Sequence, residues 1–131
     1  MNLRGLRTLL LIHGFIALAA AIVLTLAPGL IPGTVGIHLQ PSADLLAYLL
    51  AGAEFGLAVL SFGGSRLSDA QALRLIAWCC IAFHGSSAVL ELYAYAQGGS
   101  GAILVNAAAR AVIIVLFAWF SRNPPQARAS R

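Results

Sequence analysis

The chain has 131 residues, of which 60% are hydrophobic and 9% charged, and its mean hydropathy is +0.90. A soluble domain carries about 25% charged residues, so too few polar side chains remain here to wet a globular surface, and the solvent for most of the chain must be lipid. The net charge of +4 comes from eight arginines and no lysine; they sit at the ends of apolar runs instead of forming the clustered basic face that nucleic acid requires, which excludes a nucleic-acid partner.

A helix crossing the hydrocarbon layer needs about 20 apolar residues. Four such spans with short connections use up the chain and leave no room for a soluble domain. The expected fold is therefore all-α: an integral membrane four-helix bundle over residues 1–121, followed by a disordered tail at 122–131.

The first span is expected at about residues 8–27, ended by Pro28 and Gly29. Arg4 and Arg7 precede it as they would precede a secretory leader, but the apolar run exceeds the usual 7–15-residue core of such leaders, so it is read as a retained span. The connection 28–41 holds three prolines and three glycines, yet Leu30, Ile31, Val35, Ile37 and Leu39 are apolar. A solvated loop would not look like this, and the segment is expected to lie at the interface or fold back over the bundle. His38, within it, is read as solvated.

The second span is expected at about 43–62, with Asp44 in its first turn, where a negative charge suits the positive end of the helix dipole. Gly63-Gly64-Ser65 stops it, and Ser68 with Asp69 starts the third, at about 72–96. Tyr93 and Tyr95 near its end fit an interfacial aromatic belt. Gly98-Gly99-Ser100-Gly101 is a tight turn before the fourth span, at about 102–120, with Trp119 at its exit. Cys79 and Cys80 are adjacent and lack the Cys-x-x-Cys spacing of a redox pair or zinc site.

Arginine placement predicts orientation. Arg4 and Arg7, then Arg66 and Arg74, then Arg122, Arg128 and Arg131 mark the N-terminus, the second connection and the C-terminus, while the other two connections carry no cation. Under the positive-inside rule both termini are cytoplasmic. A faint internal echo accompanies this pattern: Leu6-Arg7 with His13-Gly14 is similar to Leu73-Arg74 with His84-Gly85, with spacings one helical turn apart. Parallel helix-pair repeats of that kind occur in transporters.

Ionisable groups within spans are costly and face the bundle interior. They mark the candidate binding cluster: His13, Glu54, His84, Glu91, Asn106 and Arg110. His84, Ser87, Glu91 and Tyr95 follow helical spacing and form one stripe, and Asn106 and Arg110 share a face at i, i+4. Counting 1.5 Å per residue from the expected span ends, Glu54, His84 and Arg110 fall near mid-layer, Glu91 and Asn106 nearer the outer side, and His13 nearer the cytoplasmic side. The expected contacts are Arg110 with Glu91 or Glu54, and His84 with Glu54. A haem held by two histidines would need His13 opposite His84, and these depths separate them. Gly52 and Gly56 flank Glu54 as a small-xxx-small surface for close helix approach. No catalytic motif, metal site or cofactor is indicated.

The stretch Gly52-Ala-Glu-Phe-Gly56-Leu-Ala-Val-Leu-Ser-Phe-Gly63-Gly64-Ser-Arg66 resembles the centre of the DoxX-like membrane proteins. The resemblance implies a small multi-pass protein of the bacterial inner membrane, often tied to redox partners, and carries over only Glu54 and its flanking glycines. The expected function is an accessory subunit or a binder of a lipid-like, amphiphilic small molecule through the buried polar cluster, with the bilayer, such a molecule, a membrane-protein partner or a second copy of the chain as partners. The alternatives are a membrane-embedded enzyme acting on a quinone- or sterol-like substrate, and a small proton-coupled exporter.

Overall fold

The computed structural model describes residues 2–122. Helix α1 (Leu3–Leu26) begins five residues ahead of the apolar run, because Asn2 Oδ1 accepts a 2.9 Å hydrogen bond from Gly5 N and caps it. A short helix α2 (Leu30–Thr34) interrupts the first connection. A 3-10 turn with Pro41 at its start leads into α3 (Asp44–Ser65). Asp69 is the N-cap of α4 (Ala70–Ala96), its carboxylate accepting from Ala72 N at 2.6 Å. Helix α5 (Ala102–Ser121) completes the fold, and no strand forms among the described residues. The expected tail lies, apart from Arg122, outside the described residues.

The turn between α4 and α5 depends on glycine. Gly98 has φ +97, the left-handed region that L side chains disfavour, and this lets Gly99 N reach the Ala94 carbonyl at 3.1 Å and close the end of α4.

The four long helices alternate in direction. Helix α1 packs tightly against α3, and α4 against α5, so the bundle is two antiparallel hairpins side by side. The looser seams run between α1 and α5 and between α3 and α4, which leaves α1 and α4 facing each other across the axis. At the end where α1 begins and α5 ends, Leu6 and Leu10 of α1 interlock with Leu73, Ile76, Ala77 and Cys80 of α4 and Phe117 of α5. At the opposite end Leu24, Ala47 and Ala51 form a smaller core, and Ile31 and Leu39 of the first connection pack onto it. That connection therefore folds back over the bundle, as its apolar residues require, and Gly36 meets the turn at Ser100.

The exterior is as apolar as the interior. Leu11, Phe15, Ile16, Leu49, Val59 and Val105 are among many large side chains turned outward. All four long helices are long and apolar enough to cross a membrane. An exposed apolar belt of this extent is unlike the surface of a water-soluble bundle; it is the arrangement of a multi-pass membrane protein.

Candidate functional site

The polar side chains of the four spans meet near the axis. His13 of α1 places Nδ1 2.8 Å from Ser61 Oγ of α3 and Nε2 2.8 Å from His84 Nε2 of α4. His84 Nδ1 lies 3.2 Å from a terminal nitrogen of Arg110 on α5. Arg110 Nε donates to Glu91 Oε1 at 2.8 Å, and Asn106 Nδ2 donates to the same oxygen at 2.6 Å. Six side chains from four helices thus form one continuous chain. It runs from Ser61, fully buried, to Asn106, exposed at the surface of α5.

Helical geometry explains these positions. Ala47, Ala51, Glu54, Ala58 and Ser61 fall at intervals of three and four and line the inward stripe of α3. On α4, Cys80, His84, Ser87 and Glu91 do the same. Asn106 and Arg110, one turn apart on α5, reach the same carboxylate because both point across the α4–α5 seam. Aromatic rings wall the imidazoles. Phe117 meets His13 edge-on at 5.4 Å between centroids, Phe83 meets His84 at 5.3 Å, and the Arg110 guanidinium carbon sits 5.9 Å from the centre of the Phe83 ring.

Arg110 fixes the direction of every hydrogen bond. A guanidinium can only donate, so His84 Nδ1 must accept. His84 then carries its proton on Nε2 and donates to His13 Nε2. His13 in turn carries its proton on Nδ1 and donates to the Ser61 hydroxyl. A second proton on either ring would set two donors face to face, at Arg110 or between the two Nε2 atoms. The neutral tautomers are thus determined by a charge on another helix.

Glu91 is only half satisfied. Oε1 takes two hydrogen bonds, while Oε2 is buried and accepts none among the described residues. Glu54, half-buried on the inward stripe of α3, joins no hydrogen bond or ion pair among the described residues.

The expected separation in depth between His13 and His84 is overturned, because His13 lies deeper than expected while His84 keeps its place near mid-layer. The capped start of α1 at Leu3 puts His13 at the eleventh position of a 24-residue helix, close to its middle. Helix α4 is longer, 27 residues, and takes up the remaining turn before His84. Of the expected contacts, Arg110 engages Glu91 and not Glu54, and His84 turns to His13 and Arg110 instead of Glu54. The two imidazole nitrogens stand closer than the roughly 4 Å that two metal–nitrogen bonds of about 2.0 Å would span, and no group of three or more His, Cys, Asp or Glu among the described residues could hold a metal ion. Gly52 and Gly56 keep the small surface that would permit close helix approach, and no helix of this chain uses it. A Cβ on either would meet nothing within 4 Å, so their surface faces outward and brings no helix of this chain close. The close approach occurs at Gly14 instead, where a Cβ would stand 2.9 Å from the Phe62 ring.

Sequence reasoning missed Ser61. Its signal is the spacing of seven residues from Glu54, two turns along the same stripe. The chain opens outward at a groove of about 340 Å3 between the first connection and α5, lined by Thr34, Val35, Ala102, Val105, Asn106 and Ala109. Comparison with protein-family models, with curated proteins and with solved structures finds no match for this chain.

Proposed function

We propose that this chain is a membrane binder of an amphiphilic small molecule, taking the polar end at Asn106, Glu91 and Arg110 and the apolar part along the groove beside α5. One observation carries the reading: the exposed end of the buried polar chain, Asn106, forms part of a groove that is otherwise mostly apolar. Pockets of this composition, with a few convergent polar groups in an apolar lining, are the common form of small-molecule sites. The Asn106 amide carries both a donor and an acceptor at the groove, so the ligand's polar end would carry a group that hydrogen-bonds an amide. The distribution of arginines and the resemblance at Gly52–Arg66 support a bacterial inner membrane with both chain ends in the cytoplasm. In that orientation the groove opens toward the outer leaflet.

The experiment is extraction of the full chain in mild detergent, followed by native mass spectrometry and analysis of co-purified small molecules. The reading predicts one amphiphile enriched over bulk lipid and lost in Asn106→Leu, a variant at an exposed position that leaves the fold intact. Bulk lipid alone, in the same proportions for both proteins, would refute it.

A second reading, a membrane-embedded enzyme on a quinone- or sterol-like substrate, is favoured by the coupled imidazoles next to Arg110. It requires the substrate to reach His84, which the Arg110–Glu91 pair covers from the groove side. Turnover of such a substrate that is lost in His84→Gln while binding persists would select it over simple binding.

A further inference from the structure

The two hairpins repeat more than the histidines. Each carries Leu-Arg near the start of its first helix, His-Gly at the middle, and Ser-Arg at the end of its second helix. These are Leu6-Arg7, His13-Gly14 and Ser65-Arg66 in the α1–α3 hairpin, and Leu73-Arg74, His84-Gly85 and Ser121-Arg122 in the α4–α5 hairpin. The two histidines, one from each hairpin, meet Nε2 to Nε2 at 2.8 Å.

The arginine and serine signatures wall a cleft at the same end of each hairpin. In the first, Arg4, Arg7, Thr8, Leu11 and Ser65 enclose about 370 Å3. In the second, Arg74, Trp78, Ile81, Ala118, Ser121 and Arg122 enclose about 430 Å3. Neither lining contains an acidic side chain among the described residues. Arg7 Nε donates to the Ser65 carbonyl at 2.7 Å, which anchors its guanidinium across the α1–α3 seam. Both clefts grade along the helix axis, from guanidinium and hydroxyl groups at the bundle end to Leu11 in one case and Trp78, Ile81 and Ala118 in the other. Leu11 and Trp78 are exposed on the apolar belt.

We infer that each cleft seats the phosphate of an anionic phospholipid, with the lipid's acyl chains continuing along the adjoining apolar wall. The chemistry matches at both ends of the ligand. A planar guanidinium fork pairs with phosphate oxygens through parallel N–H bonds, and Thr8 offers a hydroxyl donor beside it in the first cleft. The net positive charge of each cleft favours an anionic over a zwitterionic head group. The continuous apolar wall distinguishes a lipid from free phosphate, which would use the rim alone. These clefts lie at the opposite end of the bundle from Asn106, so they stand or fall independently of the amphiphile site.

The test places the full chain in nanodiscs of phosphatidylcholine and phosphatidylglycerol and counts lipids retained in native mass spectra. Two phosphatidylglycerol molecules per chain are expected in preference to phosphatidylcholine. Arg4→Gln with Arg7→Gln should leave one, its retention weakened about fivefold for each arginine removed. Because those charges also direct insertion, Arg7→Lys serves as the second variant: it keeps the charge, loses the fork and should retain the lipid more weakly than the wild type. Equal retention of the two lipids, unchanged retention in both variants, or displacement of phosphatidylglycerol by inorganic phosphate would overturn the assignment.

Discussion

His13 and His84 meet nitrogen to nitrogen, Nε2 to Nε2 at 2.8 Å, on the two helices that face each other across the bundle axis. Each imidazole spends its other nitrogen on a side chain from the second helix of its own hairpin, Ser61 for His13 and Arg110 for His84. The arrangement couples the two halves of the molecule through the hydrogen bond between their rings.

Replacing one histidine leaves its partner with a buried nitrogen unmatched. His13→Phe or His84→Phe should each destabilise by about 1–3 kcal/mol, the cost of an unsatisfied buried polar group. The double variant should lose less than the sum, because neither orphan remains. Thermal unfolding in detergent of the wild type, both singles and the double closes this cycle; strictly additive losses would mean that the two rings do not interact.

The Arg110–Glu91 pair holds α5 to α4 with 16% and 21% of its side chains exposed. Arg110→Gln strands a carboxylate in a mostly buried setting and should cost about 3 kcal/mol. Adding Glu91→Gln should recover most of that loss, since two amides can still bond. Unfolding midpoints of the three proteins decide it, and no recovery in the double variant would count against the pair as the cause.

Much of this was legible from residue order. Four spans follow from apolar run lengths, and the polar cluster from ionisable residues that oil will not accept. Of the pairings, Arg110 with Glu91 was legible and His13 with His84 was not, because depth counted from apolar boundaries ignores the capped, polar-tolerant turn that extends α1 to Leu3. That error of a few residues is enough to separate His13 from His84. Ser61 escaped notice because a lone serine carries no desolvation cost large enough to mark it. Gly52 and Gly56 show the limit of such a pattern: a small-residue stripe says only that close approach is allowed, not that a helix arrives.

The glycines provide a contrast that tests the packing. Gly14→Ala drives a Cβ into the Phe62 ring and should destabilise by about 1–3 kcal/mol, the usual cost of overpacking. Gly52→Ala meets open space on a helix surface and should be neutral or stabilise by up to about 1 kcal/mol. Melting temperatures of the two variants should move in different directions. If Gly52→Ala were the more damaging, its face would be covered by a partner in the assembled protein.

At Asn106 stability and binding should separate. Its side chain is exposed and gives one hydrogen bond to Glu91, so Asn106→Leu should cost only about 1 kcal/mol, while Glu91 keeps Arg110 and the groove loses its polar group. A large drop in stability would identify Asn106 as a structural strut instead.

The central claim is that a charge on α5 orients a chain of hydrogen bonds through α4 and α1 to α3. Nitrogen-15 NMR of histidine-labelled protein in bilayers tests it directly. The account predicts the proton on Nε2 in His84 and on Nδ1 in His13, with scalar coupling between the two Nε2 nuclei across the shared hydrogen bond. A protonated Nδ1 in His84, or no coupling between the rings, would contradict it.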